Sequence, residues 1–319
     1  MNRTPATRRE PLGILLATDE GLVECVPGAR TTRGIEGRRF TSVDARDDVA
    51  VAGAPGADGG VWLHAGGHWQ QVWTGDARSL HVGKLTRGEG MIYLGTGDGH
   101  LLRSTDRGTT WIETPGVTTL RHDGAVLPLR AVLPTVAGVA EVTGGTVVAF
   151  NGGGMWFRDD ATDTWFHRSE GLDQHVHRFY RHPDLDHRFY ATTDTGIYRT
   201  SDQGNNWVQS ITDLDRGWGG SLAVFPGPRD TLLLSLARSA PGVEGALYRS
   251  TDGGVHWSRV LLADEDEWER TPAVVHPHEW EDVIFVAAGP RLFASHDRGA
   301  TWMQMADGLP PANAIAASV

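Results

Sequence analysis

An all-β ring of short antiparallel sheets is the fold class this sequence predicts, on three observations. A hairpin pattern, Ser/Thr-x-Asp-x-Gly-x-x-Trp, recurs four times. Tryptophans that open a returning strand fall at 69, 111, 165, 207, 257 and 302, spaced 42 to 54 residues apart, which suits a four-stranded sheet with its turns. The 319 residues include 41 glycines and 12 tryptophans but are only 39% hydrophobic. Many tight turns with large flat side chains buried between layers favour short repeated strands over helices or a doubly wound sheet.

Taken in order, residues 1–11 read as a flexible N-terminus carrying Arg3, Arg8 and Arg9. No apolar segment long enough for a signal-peptide core or a membrane span follows, since Leu12 to Ala17 is too short. The expectation is a cytoplasmic protein without a membrane partner. One domain then runs from 12 to 319. Gly13 to Cys25 looks like the second and third strands of a sheet that has no first strand ahead of it. Trp62 to Trp69 is a degenerate copy of the hairpin that has lost its Asp, and Phe157 to Trp165 is another that keeps acids but lacks the Gly.

The intact copies are Ser104 to Trp111, Thr200 to Trp207, Ser250 to Trp257 and Ser295 to Trp302. Their physics is that of a turn. Asp106, Asp202, Asp252 and Asp297 can accept backbone N–H groups ahead of them. Gly108, Gly204, Gly254 and Gly299 supply a positive φ. Trp111, Trp207, Trp257 and Trp302 start the returning strand and pack beneath the turn. Alternating apolar residues precede each copy, as in Ile197-Tyr198-Arg199.

The best-marked unit predicts strands over 176–181, 188–193, 197–200 and 207–211, and the last unit over 273–275, 283–288, 292–295 and 302–305. After Trp302 the sequence Asp307-Gly308-Leu309 leads into Ala314 to Val319, matching Glu170-Gly171-Leu172 leading into Val176. The C-terminal strand therefore supplies the missing first strand of the first sheet, and pairing the chain ends removes an open edge. Six tryptophan-marked units plus this composite one predict a single seven-bladed β-propeller of four-stranded antiparallel blades.

The hairpin pattern resembles the Asp-box, or BNR, repeat of sialidases, sortilin-type receptors, xyloglucan-degrading glycosidases and the photosystem II assembly factor of cyanobacteria and plastids. The resemblance implies a propeller and no particular activity, because such boxes occur in enzymes and non-enzymes alike. It also implies that ligands sit at the channel mouth, on loops joining strand four to the next strand one and strand two to strand three.

Charge narrows the partners. A formal net charge of −11 lacks the basic field that nucleic acid needs. The single cysteine, Cys25, permits no intrachain disulfide and reads as a small buried hydrophobe. The glycine strings at 59–60, 66–67 and 152–154 are hairpin turns rather than phosphate loops, since no helix follows.

Candidate site residues are those that break the repeat near the mouth. His175 and His177 share a strand face and could grip an anion or a metal ion, the one cofactor the residues suggest. His81 and Arg130 lie at the starts of inner strands. Trp218, in the loop from 213 to 220, could offer a sugar or peptide contact. In the acidic loop from Asp264 to Arg270, Trp268 and Arg270 could help bind a cation, a basic peptide or a sugar. His182 and His276, each before a proline, read as repeat turns.

The leading reading is a non-catalytic propeller that binds a protein, peptide or carbohydrate, or assists assembly. A glycoside hydrolase of the sialidase type is the alternative, but the early Arg-Ile-Pro motif of sialidases is absent. It would need two carboxylates across the mouth, with Asp76, Asp173, Asp215 and Glu269 available. A metal-dependent enzyme using inner-strand histidines is the third reading.

Overall fold

The computed structural model describes residues 13–26, 32–46, 49–65, 67–83, 91–117, 120, 135–210, 214–277 and 280–318. They form seven antiparallel sheets arranged as a ring, the seven-bladed propeller that the repeat predicts. Blade I contains Gly13–Thr18, Gly21–Cys25 and Thr32–Glu36, with Ala312–Ser318 as its innermost strand. Blade II is Ser42–Arg46, Val49–Ala54, Gly60–Ala65 and His68–Thr74; blade III is Ala77–Val82, Ile92–Thr96, Leu101–Ser104 and Ile112–Glu113. Blade IV is Thr135–Val142, Gly145–Asn151, Gly154–Asp159 and Thr164–His167; blade V is Val176–Arg181, Phe189–Thr193, Gly196–Thr200 and Val208–Gln209. Blade VI is Trp218–Phe225, Thr231–Ser239, Val243–Ser250 and Ser258–Arg259; blade VII is Ala273–Val275, Ile284–Ala288, Arg291–Ser295 and Met303–Ala306.

The ring closes where the ends of the sequence require it. Gly13 pairs with Ser318, Leu15 with Ala316 and Ala17 with Ala314. Burial explains why the edge must close. Ile14, Leu16, Ala314, Ile315, Ala316 and Ala317 are all buried, and an unpaired Gly13–Thr18 would leave a flat apolar edge in water. Each interface between neighbouring blades holds its own apolar cluster, including one between VII and I and another between I and II. Cys25 sits in the cluster between blades I and VII.

The four turns share one hydrogen-bond scheme. In blade III the Ser104 hydroxyl donates to Asp106 (2.8 Å) and accepts from Gly108 N–H (2.7 Å). Asp106 in turn accepts from the Thr110 N–H (2.8 Å) and hydroxyl (2.6 Å), and Trp111 Nε1 donates to the Gly108 carbonyl (3.1 Å). The Thr200, Ser250 and Ser295 copies repeat the bond from the Gly N–H and the bond to the Asp. Gly108, Gly204, Gly254 and Gly299 have φ between 78° and 86°, and Arg107, Gln203 and Arg298 just ahead of three of them are also left-handed. Two successive positive φ values give the twist of a tight hairpin.

His182 and His276 serve the turns they were expected to serve. The buried His182 Nδ1 accepts from the N–H groups of Asp184 (3.0 Å) and Leu185 (3.1 Å), and both His276 nitrogens face backbone carbonyls. Blade VI departs from the plan. Trp268–Arg270 joins it as a fifth strand against the start of Val243–Ser250, pairing Val243 with Arg270 and Gly245 with Trp268. Among the described residues no helix is long and apolar enough to cross a membrane.

Candidate functional site: an arginine-lined channel mouth

The innermost strands of all seven blades begin around one open cavity of about 780 Å³. No residue of the four recurring hairpin turns lines it. A recurring irregularity shapes its wall. At the mouth end of the inner strand, Asn313 in blade I, Arg78 in blade III, Ala137 in blade IV and His177 in blade V are each skipped by the ladder. Gly220 and Ser221 form a wider break in blade VI. All of these residues line the cavity. A bulge re-aims a side chain that regular pairing would send to a neighbouring blade, so the same defect in successive blades turns side chains toward the channel.

Four arginines line the cavity: Arg39, Arg78, Arg178 and Arg270. Glu269 is the only carboxylate-bearing residue among the described lining residues, although two more acids stand just behind. Asp76 pairs with Arg78 (2.8 Å). Asp19, in the turn between the second and third strands of blade I, pairs with Arg39 (3.0 Å) and Arg270 (3.0 Å) and accepts from Asn313 Nδ2 (2.9 Å). That Asn313 bond, with the Arg270 contact and against the opposing effect of burial, holds the Asp19 carboxyl below its ordinary value. Arg178 differs from the other three. Its guanidinium reaches the Asn313 carbonyl (3.5 Å), and among the described residues no carboxylate lies within ion-pair distance of it.

The wall at blade VI is mostly apolar. Trp218 stacks on His177, with ring centroids 4.3 Å apart, and the hairpin tip at Pro241, Gly242 and Val243 leans over the cavity from blade VI. His177 is fully engaged. Nδ1 meets the Gly219 carbonyl at 2.7 Å and Nε2 meets Asp194 at 2.8 Å. His175 lies 3.5 Å from Asp173 and 3.6 Å from Asp194 and does not line the cavity. Among the described residues no three His, Cys, Asp or Glu side chains stand together as a metal site.

The sequence candidates are therefore only partly brought together. His177, Trp218 and Arg270 line the mouth. His81 lies deeper in the channel, 3.5 Å from Asp44, outside the cavity lining. The two side chains keep about a third of their surface exposed (37% and 30%), and partial burial pushes the imidazole down and the Asp44 carboxyl up. Arg130 lies outside the described residues.

One expectation is corrected. Trp268 offers no exposed face, because the fifth strand of blade VI carries it into the core between blades VI and VII at 5% exposure. In the acidic loop three carboxylates are engaged by arginines. Asp266 pairs with Arg259 (3.0 Å), Glu267 with the buried Arg216, and Glu265 with Arg291. Of the four carboxylates considered for hydrolysis, Asp215 is held by Tyr248 and Arg216, Asp173 by Thr195 and the His175 N–H, and Asp76 by Arg78; only Glu269 lines the cavity.

Sequence reasoning missed Arg39, Arg78 and Arg178. One signal was present: Arg39 and Arg270 each stand three residues before the first residue of an inner strand, in blades II and VII. With a single lysine among 29 basic residues, arginine is too common for its type alone to mark a site.

No protein-family model and no curated protein matches the sequence. Solved structures match the fold. The GH74 enzyme of Niastella koreensis superposes with a TM-score of 0.61 at 13% identity, over 93% of this chain and 47% of that one. The GH74 xyloglucanase of Xanthomonas campestris gives 0.57 at 16% identity, over 84% and 45%. The chain thus spans about half the length of these enzymes. YCF48 bound to a D1 peptide gives 0.56 at 14% identity, over 95% of this chain and 88% of that one. At such identities the likeness is one of fold: this chain is a seven-bladed β-propeller whose neighbours include both enzymes and a peptide-binding protein.

Proposed function

We propose that this propeller binds an acidic segment of a partner protein at its channel mouth, without chemistry. The observation that carries the reading is Arg178, a guanidinium in the mouth with no carboxylate partner among the described residues, flanked by three more arginines. On a chain of net charge −11 such a local cationic field steers an anionic ligand to one place and not elsewhere on the surface. The wall formed by Trp218, Pro241 and Val243 offers apolar contact beside the charges. The YCF48 neighbour, bound to a peptide, supports the use of this fold for peptide capture. Against hydrolysis stands the supply of carboxylates, since a glycosidase needs two across its cleft and among the described residues only Glu269 lines this one.

The test is fluorescence polarisation with a fluorescein-labelled tetraglutamate peptide, and tetraglutamine as the neutral control. Saturable binding of the acidic peptide that weakens with salt and is reduced in Arg178→Ala supports the reading. Equal binding of the two peptides overturns it, as does the release of reducing ends from xyloglucan at a catalytic rate.

A further inference from the structure

Asp19 ties together two of the four lining arginines. Its carboxylate bonds the guanidinium groups of Arg39, ahead of blade II, and Arg270, ahead of blade VII, while sitting on blade I between them. It is itself 42% exposed, and its partners are 62% and 48% exposed. An equivalent residue shows which part of this arrangement belongs to the fold. Asp194 occupies the corresponding turn of blade V and engages the bulged His177 of its own blade (2.8 Å), as Asp19 engages the bulged Asn313 (2.9 Å). Supporting the bulge is thus common to both aspartates. The two arginines are an addition found at Asp19.

We propose that Asp19 is an internal competitor for the anion site, masking Arg39 and Arg270 until a ligand displaces it. This rests on the reading of the mouth as an anion site. In the mouth Asp76 holds Arg78, Asp19 holds two more arginines, and among the described residues Arg178 is the one lining arginine with no carboxylate partner. A single carboxylate therefore gains one guanidinium. A segment bearing several acids gains Arg178 and can also repay the loss of Asp19 from the rim. Exposed ion pairs of this kind are weak, so the mask is removable and acts as a threshold rather than a block. The class of ligand selected is a multiply acidic peptide over a singly charged one.

Asp19→Asn keeps an oxygen for Asn313 and removes the charge. Binding of labelled tetraglutamate is expected to tighten roughly 3- to 10-fold in Asp19→Asn, the range set by two exposed ion pairs. Arg39→Gln is expected to cost more affinity in the Asp19→Asn background than in the wild type, a coupling read from the double-mutant cycle. Asn313→Ala is the control for loosened ring closure, expected to lower the melting temperature without strengthening binding. Asp19→Ser gives the same readout if the Asn variant does not fold. Unchanged or weaker binding in Asp19→Asn overturns the proposal, as does equal strengthening in Asn313→Ala. Absence of tetraglutamate binding to the wild type, with Arg178→Ala no different, would instead remove the reading of the mouth on which the proposal stands.

Discussion

The Arg178 guanidinium, carried by the inner strand of blade V, reaches the backbone carbonyl of Asn313 on the inner strand of blade I (3.5 Å). Blades V and I are not neighbours in the ring, so the side chain crosses the channel. A charge held over the lumen whose one hydrogen bond among the described residues is a long one to a neutral carbonyl is available to a ligand. Arg178→Ala is expected to weaken tetraglutamate binding roughly 10-fold or more, the scale of a hydrogen bond to a charged group. The salt dependence should flatten at the same time, while the melting temperature changes little. Polarisation titrations at two ionic strengths check this.

Ring closure rests on the C-terminal strand. Ile315, buried between blades VII and I, pairs with Leu16 of the N-terminal strand. Ile315→Ala is expected to cost about 2–4 kcal/mol, through lost burial and the cavity left behind. Urea unfolding at constant slope measures it. A loss near zero would mean that the terminal strand contributes little to holding the ring.

Gly245 allows the fifth strand of blade VI to approach. A Cβ there would lie 2.5 Å from both the Arg270 carbonyl oxygen and the Thr271 Cα, backbone atoms that cannot swing aside. Gly245→Ala is expected to destabilise the protein by about 1–3 kcal/mol through overpacking. It should also weaken acidic-peptide binding, because Arg270 and Thr271 line the mouth. Thermal melts and polarisation, measured together, separate the two effects.

The turn aspartates predict acid sensitivity. Bonds from the side chain and backbone of Thr110 lower Asp106 from an ordinary 3.8 to about 2. At Asp297 burial acts in the opposite direction, but the Thr301 hydroxyl and N–H outweigh it and the carboxyl again falls to about 2. A carboxyl lowered on folding stabilises the fold above its unfolded value, and that contribution disappears as pH falls through the folded one. Stability is therefore expected to decline between about pH 4 and pH 2. Asn substitutions at Asp106 and Asp297 should flatten that part of the curve in melts across the range.

Much of the fold was readable locally. The inner strands at Val176–Arg181 and Ala273–Val275 agree with the sequence reading to the residue, because a proline turn and a two-residue alternation bound them. The pairing of the C-terminal strand with the N-terminal one was readable too, since a strand one was missing at one end and surplus at the other, but not its register, which sets Ala314 against Ala17. The site was legible only in part. His177, Trp218 and Arg270 break the repeat where the mouth lies. Trp268 breaks it equally, yet it is buried, because pairing of Gly245 with Trp268 draws its segment into the blade.

What this sequence determined by itself is the ring: hairpin chemistry, strand alternation and a split first blade are local or end-to-end patterns, and they admit one closure. What only the tertiary structure decided is which side chains meet in the channel. Bulges at Arg78, His177 and Asn313 carry no residue signature. The convergence of Arg39, Arg78, Arg178 and Arg270 joins positions up to 231 residues apart that become neighbours because a closed ring brings every inner strand to one axis.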